Sequence, residues 1–302
     1  MLLSTLGALG FECAHQRDLA LCLAVIADCK GERREGTAGY WKTWRAPTGA
    51  ELILRFRHPP LSRSADEPVT ALTDLVGVTP FHSGQGAVAV TPISDVGLEA
   101  GDPMGGAWRV ALAPDRYTGH APEIAVEIVP FQPLQPGFLE RGPTRTLQIV
   151  ALCSQMASFP DLAGYLTDLE PRLLAPPGTL CDAPHGIGPR RDPLRRSTLI
   201  TGVARNCQRH TNPLTGRSYD WVLVATERGL VDCMAAAGDQ ALAAIGSLVC
   251  CVGYLVGRAT ERVAMPCDMP VARCLGAAET VPANATMVAE TRARPRRQVI
   301  SG

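Results

Sequence analysis

Ser218-Tyr219-Asp220-Trp221-Val222-Leu223-Val224-Ala225-Thr226 is the stretch on which the fold turns. Tyr219, Trp221 and Leu223 share one parity of an extended chain, and Val222 and Val224 take the other. Successive side chains of a strand point to opposite faces, so both faces of this strand are apolar. Such a strand packs inside on one side and is covered, or binds something, on the other. Leu199 to Cys207 reads as the strand before it. Thr211-Asn212-Pro213-Leu214-Thr215-Gly216 joins the two with the proline and glycine punctuation of a hairpin loop. Arg228-Gly229 turns the chain into a third strand, Leu230 to Ala235. Gly238 to Ile245 is alanine-rich and reads as a short helix or loop. Ser247 to Val256 is a fourth strand, ended by Gly257.

Strand, long hairpin, strand, short strand, helical link and strand, all between Thr198 and Arg258, resemble the first four strands of an OB-fold. Gly246 before the last strand and the Gly257-Arg258 ending are similar to that family as well. A fifth strand is expected from Arg262 to Ala264 or from Val271 to Cys274. The resemblance implies a ligand surface on one barrel face, often for single-stranded nucleic acid or oligosaccharide. Barrels of this type also serve as assembly modules, so fold alone does not choose between these roles. The candidate surface is Arg205, Arg209, His210, Arg217, Tyr219, Trp221, Tyr254 and Arg258. Arginines can follow phosphates and flat rings can stack on bases, while Asp220 and Glu227 dilute the charge.

Upstream, Leu6 to His58 reads as one βαββ unit. Leu6 to Cys13 is expected as a strand, and Asp18 as the N-cap of a helix with Leu19, Cys22, Leu23 and Ile26 on one stripe. Gly31 is a natural breaker after it. Gly39 to Arg45 and Ala50 to Arg57 are expected as strands around the turn Ala46-Pro47-Thr48-Gly49. This unit resembles half a module of the vicinal-oxygen-chelate (glyoxalase-like) family, in which His and Glu on sheet strands hold a metal. The resemblance would make His15 and Glu51 the candidate pair, with Arg45 to Leu52 as the turn-then-Glu strand. His15 falls at the strand's end, however, and no second turn-then-Glu strand is found. A His/Glu pair without further ligands makes a poor metal site. No metal and no cofactor are therefore expected.

Between these units lie short β segments broken by Gly and Pro, the clearest being Ala125 to Val129 and Arg145 to Leu152. A short helix is expected over Phe159 to Leu169, with Asp161 near its start. Pro171 to Ser197 then holds six prolines and, after Ile187, four arginines. It reads as a linker. The expected organisation is α+β: a mixed antiparallel region over residues 1–170, a linker over 171–197, a small OB-like antiparallel β-barrel over 198–275 and a tail over 276–302. Nothing repeats at a fixed period, which excludes solenoids and propellers.

Composition narrows the function. Lys+Arg and Asp+Glu balance at 29 each among 302 residues, so no global field selects nucleic acid or an anionic membrane. Lys30 and Lys42 are the only lysines. The arginine cluster at 190, 191, 195 and 196 and the one at 292, 294, 296 and 297 read as solvated linker and tail. The apolar start, Met1 to Phe11, is too short to span a membrane and lacks a basic leader region, so a cytoplasmic location is expected. Eleven cysteines without a regular framework read as reduced, buried small side chains. Cys250 and Cys251 are neighbours in a strand and should face opposite ways. His82-Ser83-Gly84 and His120 belong to no nucleophile elbow. No P-loop, dinucleotide glycine fingerprint, His-Glu-x-x-His or Cys-x-x-Cys is present. The expectation is a non-enzymatic binding or assembly protein that uses the barrel for a protein partner or for self-association. Single-stranded nucleic-acid binding and a glyoxalase-like metalloenzyme are the alternatives.

Overall fold

The computed structural model describes residues 2–11, 16–28, 32–35, 39–57, 74–96, 107–114, 121–129, 144–168, 175–183, 197–238 and 241–260. The chain begins with α1 (Leu2–Gly7) and α2 (Gln16–Asp28). The expected strand over Leu6 to Cys13 is therefore corrected: its first residues belong to a helix, and the chain turns at Gly10, whose φ is +73°. Two contacts hold this turn. Asn212 Nδ2 donates to the Leu9 carbonyl at 2.9 Å, and Thr215 Oγ1 donates to that of Gly10 at 2.6 Å. In α2, Asp18 lies in the first turn, and Leu19, Leu23 and Ile26 are buried as their spacing predicts.

Four strands follow: β1 (Glu32–Glu35), β2 (Gly39–Arg45), β3 (Ala50–Arg57) and β4 (Leu75–His82), in the order β1-β2-β3-β4, every pair antiparallel. The β2–β3 turn is the one its sequence predicts, closed by Ala46 N–H to the Ala50 carbonyl at 2.7 Å, with Gly49 at φ +92°. In the sequence of β3, Leu52, Leu54 and Phe56 alternate with Glu51, Ile53, Arg55 and Arg57, which reads as a two-faced strand with one exception at Ile53. Instead Ala50, Glu51, Leu52, Ile53 and Leu54 are all buried, because both faces of this sheet are covered.

The remaining strands are β5 (Ala87–Val96), β6 (Ala107–Leu112), β7 (Glu123–Ile128), β8 (Arg145–Phe159), β9 (Leu180–Asp182), β10 (Thr198–Thr211), β11 (Ser218–Thr226), β12 (Gly229–Ala236) and β13 (Leu248–Ala259). A short α3 (Leu162–Asp168) follows β8, and Asp161 Oδ1 caps it by accepting the Gly164 N–H at 2.8 Å. The nine strands make one sheet, and it closes on itself twice.

The first closure joins β10 to β11, β11 to β12, β12 to β8, β8 to β13 and β13 back to β10; only the β12–β8 pair is parallel. The second joins β5 to β6, β6 to β7, β7 to β13, β13 to β8 and β8 back to β5; only the β7–β13 pair is parallel. Two small barrels thus share the β8–β13 ribbon. Each is a three-stranded meander followed by a long strand, β5-β6-β7 with β8 and β10-β11-β12 with β13. The third strand of each meander pairs in parallel with the long strand of the other set. This is a repeat of connectivity with no matching period in the sequence.

The two places proposed for a fifth strand, Arg262 to Ala264 and Val271 to Cys274, lie outside the described residues. The ring around β10–β13 is completed by β8, which precedes it in the chain. Strands on both sides of Pro171 to Ser197 therefore belong to one sheet, and β9, within that segment, pairs with β10. Of Gly238 to Ile245, the described part is irregular rather than helical.

Val222, Val224, Val231, Cys233, Val249, Cys251, Ile149 and Ala151 share one buried cluster with the apolar side chains of β5, β6 and β7. The opposite parity, Tyr219, Trp221 and Leu223 with Val150, Leu152 and Val256, joins α1, α2 and the four-stranded sheet in another. The cover that the two-sided apolarity of β11 demands is the N-terminal unit of the same chain. Burying a side chain of this size stabilises by about 1.5–3 kcal/mol, so the cover is a large part of the fold's stability.

Candidate functional site

Polar side chains concentrate where the four-stranded sheet lies on the barrel. Glu51, on β3, is fully buried. Its oxygens accept from Arg258 at 2.6 and 3.3 Å, from Arg45 at 3.2 Å and from the Ser83 hydroxyl. Burial pushes its pKa up, but Arg258, Ser83 and Arg45 together hold it below the ordinary glutamate value. The Arg258 guanidinium also sits 4.0 Å from the centre of the Phe81 ring. A second knot joins Glu127 of β7 to Thr79 at 2.6 Å, to the Tyr254 hydroxyl and to Arg55 at 3.5 Å.

Asp232 of β12 is a further buried acid, with no exposed surface. It accepts four hydrogen bonds: Trp221 Nε1 at 2.9 Å, Gln148 Nε2 at 3.0 Å, Gly86 N–H at 2.8 Å and Gln85 N–H at 3.1 Å. The loop from β4 to β5 wraps this carboxylate so closely that a Cβ on Gly84 would lie 2.2 Å from it. Beside it sits His82, 3% exposed, at 3.1 Å from the Thr48 carbonyl through Nε2. Its ring stacks on Trp221, with centroids 5.8 Å apart, and lies 5.9 Å from the ring of His210. Its Nδ1 is buried with no hydrogen-bond partner. Burial lowers the pKa of both histidines. For His82 the nearby His210 adds to that, while Asp232, the Thr48 carbonyl and Glu51 oppose it.

The sequence-predicted surface residues divide between two places. Tyr219 and Trp221 are 0% and 4% exposed and lie under the N-terminal cover. Tyr254 and Arg258 are half-buried and engaged with Glu127 and Glu51. Arg205 is half-buried, while Arg209 and Arg217 are exposed on the distal part of the β10–β11 hairpin. Arg209 makes a two-pronged pair with Asp220 at 2.7 and 3.0 Å. These residues do not converge on one exposed groove.

His15, His120 and both arginine clusters lie outside the described residues. Glu51, singled out as a metal ligand, is instead the centre of an ion-pair network, so its oxygens already have cationic partners. Sequence reasoning missed Asp232 and Glu127. The signal for Asp232 was a charged residue inside the apolar run Val231 to Met234, since a buried charge must be paired. Cys250 and Cys251 face opposite ways as alternation predicts, Cys251 into the barrel cluster and Cys250 into one with Phe159 and Tyr165.

Among the described residues no helix is long and apolar enough to cross a membrane. One group of metal-capable side chains stands out among them: Cys153, Cys233 and Cys251, all buried, inside the barrel. Comparison with known proteins finds no family model that matches the chain, and no curated protein or solved structure that significantly matches it.

Proposed function

We propose that the protein is a non-enzymatic assembly module, that its β10–β13 ring is an OB-type barrel whose fifth strand is supplied from upstream, and that it associates through the distal edge of β10. The observation that carries this reading is the pairing of β10. Its first half, Thr198 to Val203, is flanked by β13, but from Asn206 to Thr211 it pairs with β11 alone among the described strands. An open edge is a template for strand addition by another chain. Gln208, Arg209 and Thr211 on it are exposed. The buried acids support a structural role, since Glu51, Glu127 and Asp232 are each held by several donors rather than poised for proton transfer.

Single-stranded nucleic acid has less behind it. Base stacking needs exposed ring faces, and Tyr219 and Trp221 are covered. Sedimentation velocity over a wide concentration range tests the assembly reading, with Gln208→Lys/Thr211→Lys as the edge-blocking variant. Reversible association of the wild-type chain that the double variant abolishes is expected. A wild-type chain that stays monomeric throughout, or a variant that associates equally well, refutes it. Salt-sensitive binding of a labelled single strand would replace it with the nucleic-acid reading.

A further inference from the structure

Cys153 of β8, Cys233 of β12 and Cys251 of β13 come from three neighbouring strands of the ring. Their sulfur atoms all lie within 4.8 Å of one another, and all three residues are buried. They are three of the seven cysteines among the described residues, yet only they converge. A bulge helps to place them. Gly253 pairs with Cys153 but Val252 pairs with Gln155, so Ser154 is the extra residue. The backbones approach so closely here that a Cβ on Gly253 would lie 2.9 Å from the Leu152 carbonyl oxygen. Bulges of this kind re-aim side chains, and they cluster near functional sites.

We propose that Cys153, Cys233 and Cys251 form a three-sulfur site for a soft monovalent cation, copper(I). With metal–sulfur bonds of about 2.3 Å, three sulfurs around one ion stand about 4 Å apart. No pair of sulfurs is therefore more than about 0.8 Å beyond that spacing. Soft thiolates select copper(I), zinc and iron–sulfur centres. Structural zinc is four-coordinate, and no fourth His, Cys, Asp or Glu joins the group among the described residues. Copper(I) is satisfied by three sulfurs, and all three residues here are buried. Each sulfur that binds releases its proton to solvent and forms one metal–sulfur bond, and no electron is transferred. Because the site lies inside a closed barrel, the ion enters as the chain folds.

The test refolds the reduced full chain anaerobically with copper(I) in competition with a chromophoric copper(I) chelator. The wild type and Cys250→Ala, which alters the adjacent cysteine on the opposite face, are expected to hold one ion per chain with equal affinity. Cys233→Ala is expected to bind at least tenfold more weakly. Equal binding by Cys233→Ala, or equal loss in Cys250→Ala, overturns the assignment. X-ray absorption of the loaded wild type decides independently of whether any variant folds. Three sulfur neighbours at about 2.3 Å support the site, and two, or any nitrogen or oxygen ligand, refute it.

Discussion

Replacing Asp232 is the sharpest perturbation of the covered barrel face. Three of its four donors, the Gly86 N–H, Gln148 Nε2 and Trp221 Nε1, are fully buried, and the Gln85 N–H is partly so. Asp232→Ala strands the N–H groups that point at it, while Gln148 Nε2 keeps its other bond, to the His82 carbonyl at 2.9 Å. A buried donor left without a partner costs about 1–3 kcal/mol, so three stranded donors cost at least about 3 kcal/mol before any cavity is counted. Asp232→Asn keeps the shape but turns one oxygen into an N–H donor. If the remaining oxygen serves Trp221 and Gln85, the new amide faces the donors of Gly86 and Gln148. About 2 kcal/mol is then expected, even after relief from burying a charge. Urea unfolding followed by far-UV circular dichroism and tryptophan emission measures both losses. Trp221→Phe removes a single donor, so the Asp232→Asn/Trp221→Phe double variant should be less destabilised than the sum of the two, by about 0.5–3 kcal/mol. An Asp232→Asn protein within about 0.5 kcal/mol of wild type would show that the donors find water in its place, and the reasoning would fail.

Acid should weaken the fold through its histidines. His82 and His210 both have pKa values lowered from 6.5 in the folded chain, so the unfolded chain binds their protons more readily. Stability is then level above about pH 6.5 and falls below it, by up to about 1.4 kcal/mol per pH unit for each histidine. His82→Gln should flatten the fall between pH 6.5 and 5.5 in urea titrations, and an unchanged slope would refute the assignment. Gly202→Ala should lower the thermal midpoint sharply, because its Cβ would lie 2.1 Å from the Ala225 carbonyl oxygen in the β10–β11 pair. Gly7→Ala, with nothing within 4 Å, is the matched control and should change stability by less than about 0.5 kcal/mol.

Local chemistry made some elements legible and left others hidden. Gly39–Arg45, Ala50–Arg57 and Ser218–Thr226 are strands where the sequence places them, because turn signals bound them, although the burial of Ala50–Arg57 does not follow its alternation. The two-sided apolarity of β11 predicted a cover, and the structure supplies it. The closing strand was hidden for a physical reason. The β12–β8 pairing sets Asp232 opposite Val150, far apart in the chain, and no local pattern encodes such a partner. The start of the chain misled because a short apolar run reads equally as strand or helix. Trp221 and Tyr219 had the composition of a binding face, but burial depends on what the rest of the chain lays over them. Asp232 was legible only as an anomaly, and its four donors come from β4–β5, β8 and β11 together.

The shared ribbon has a consequence for how the molecule is made. β13 is the last strand described, and it seals both rings at once. Until Leu248–Ala259 has left the ribosome, β7 and β10 each lack a neighbour and β8 has one bare side. Synthesis from the N-terminus therefore cannot finish one barrel and move on to the next. The two must wait and then lock together, with the pairings of β13 to β8 and β7 spanning about 90 to 130 residues. Chains of such high contact order fold slowly and expose unpaired edges meanwhile. The arrangement trades early order for a single concerted finish, in which neither ring closes before β13 is in place.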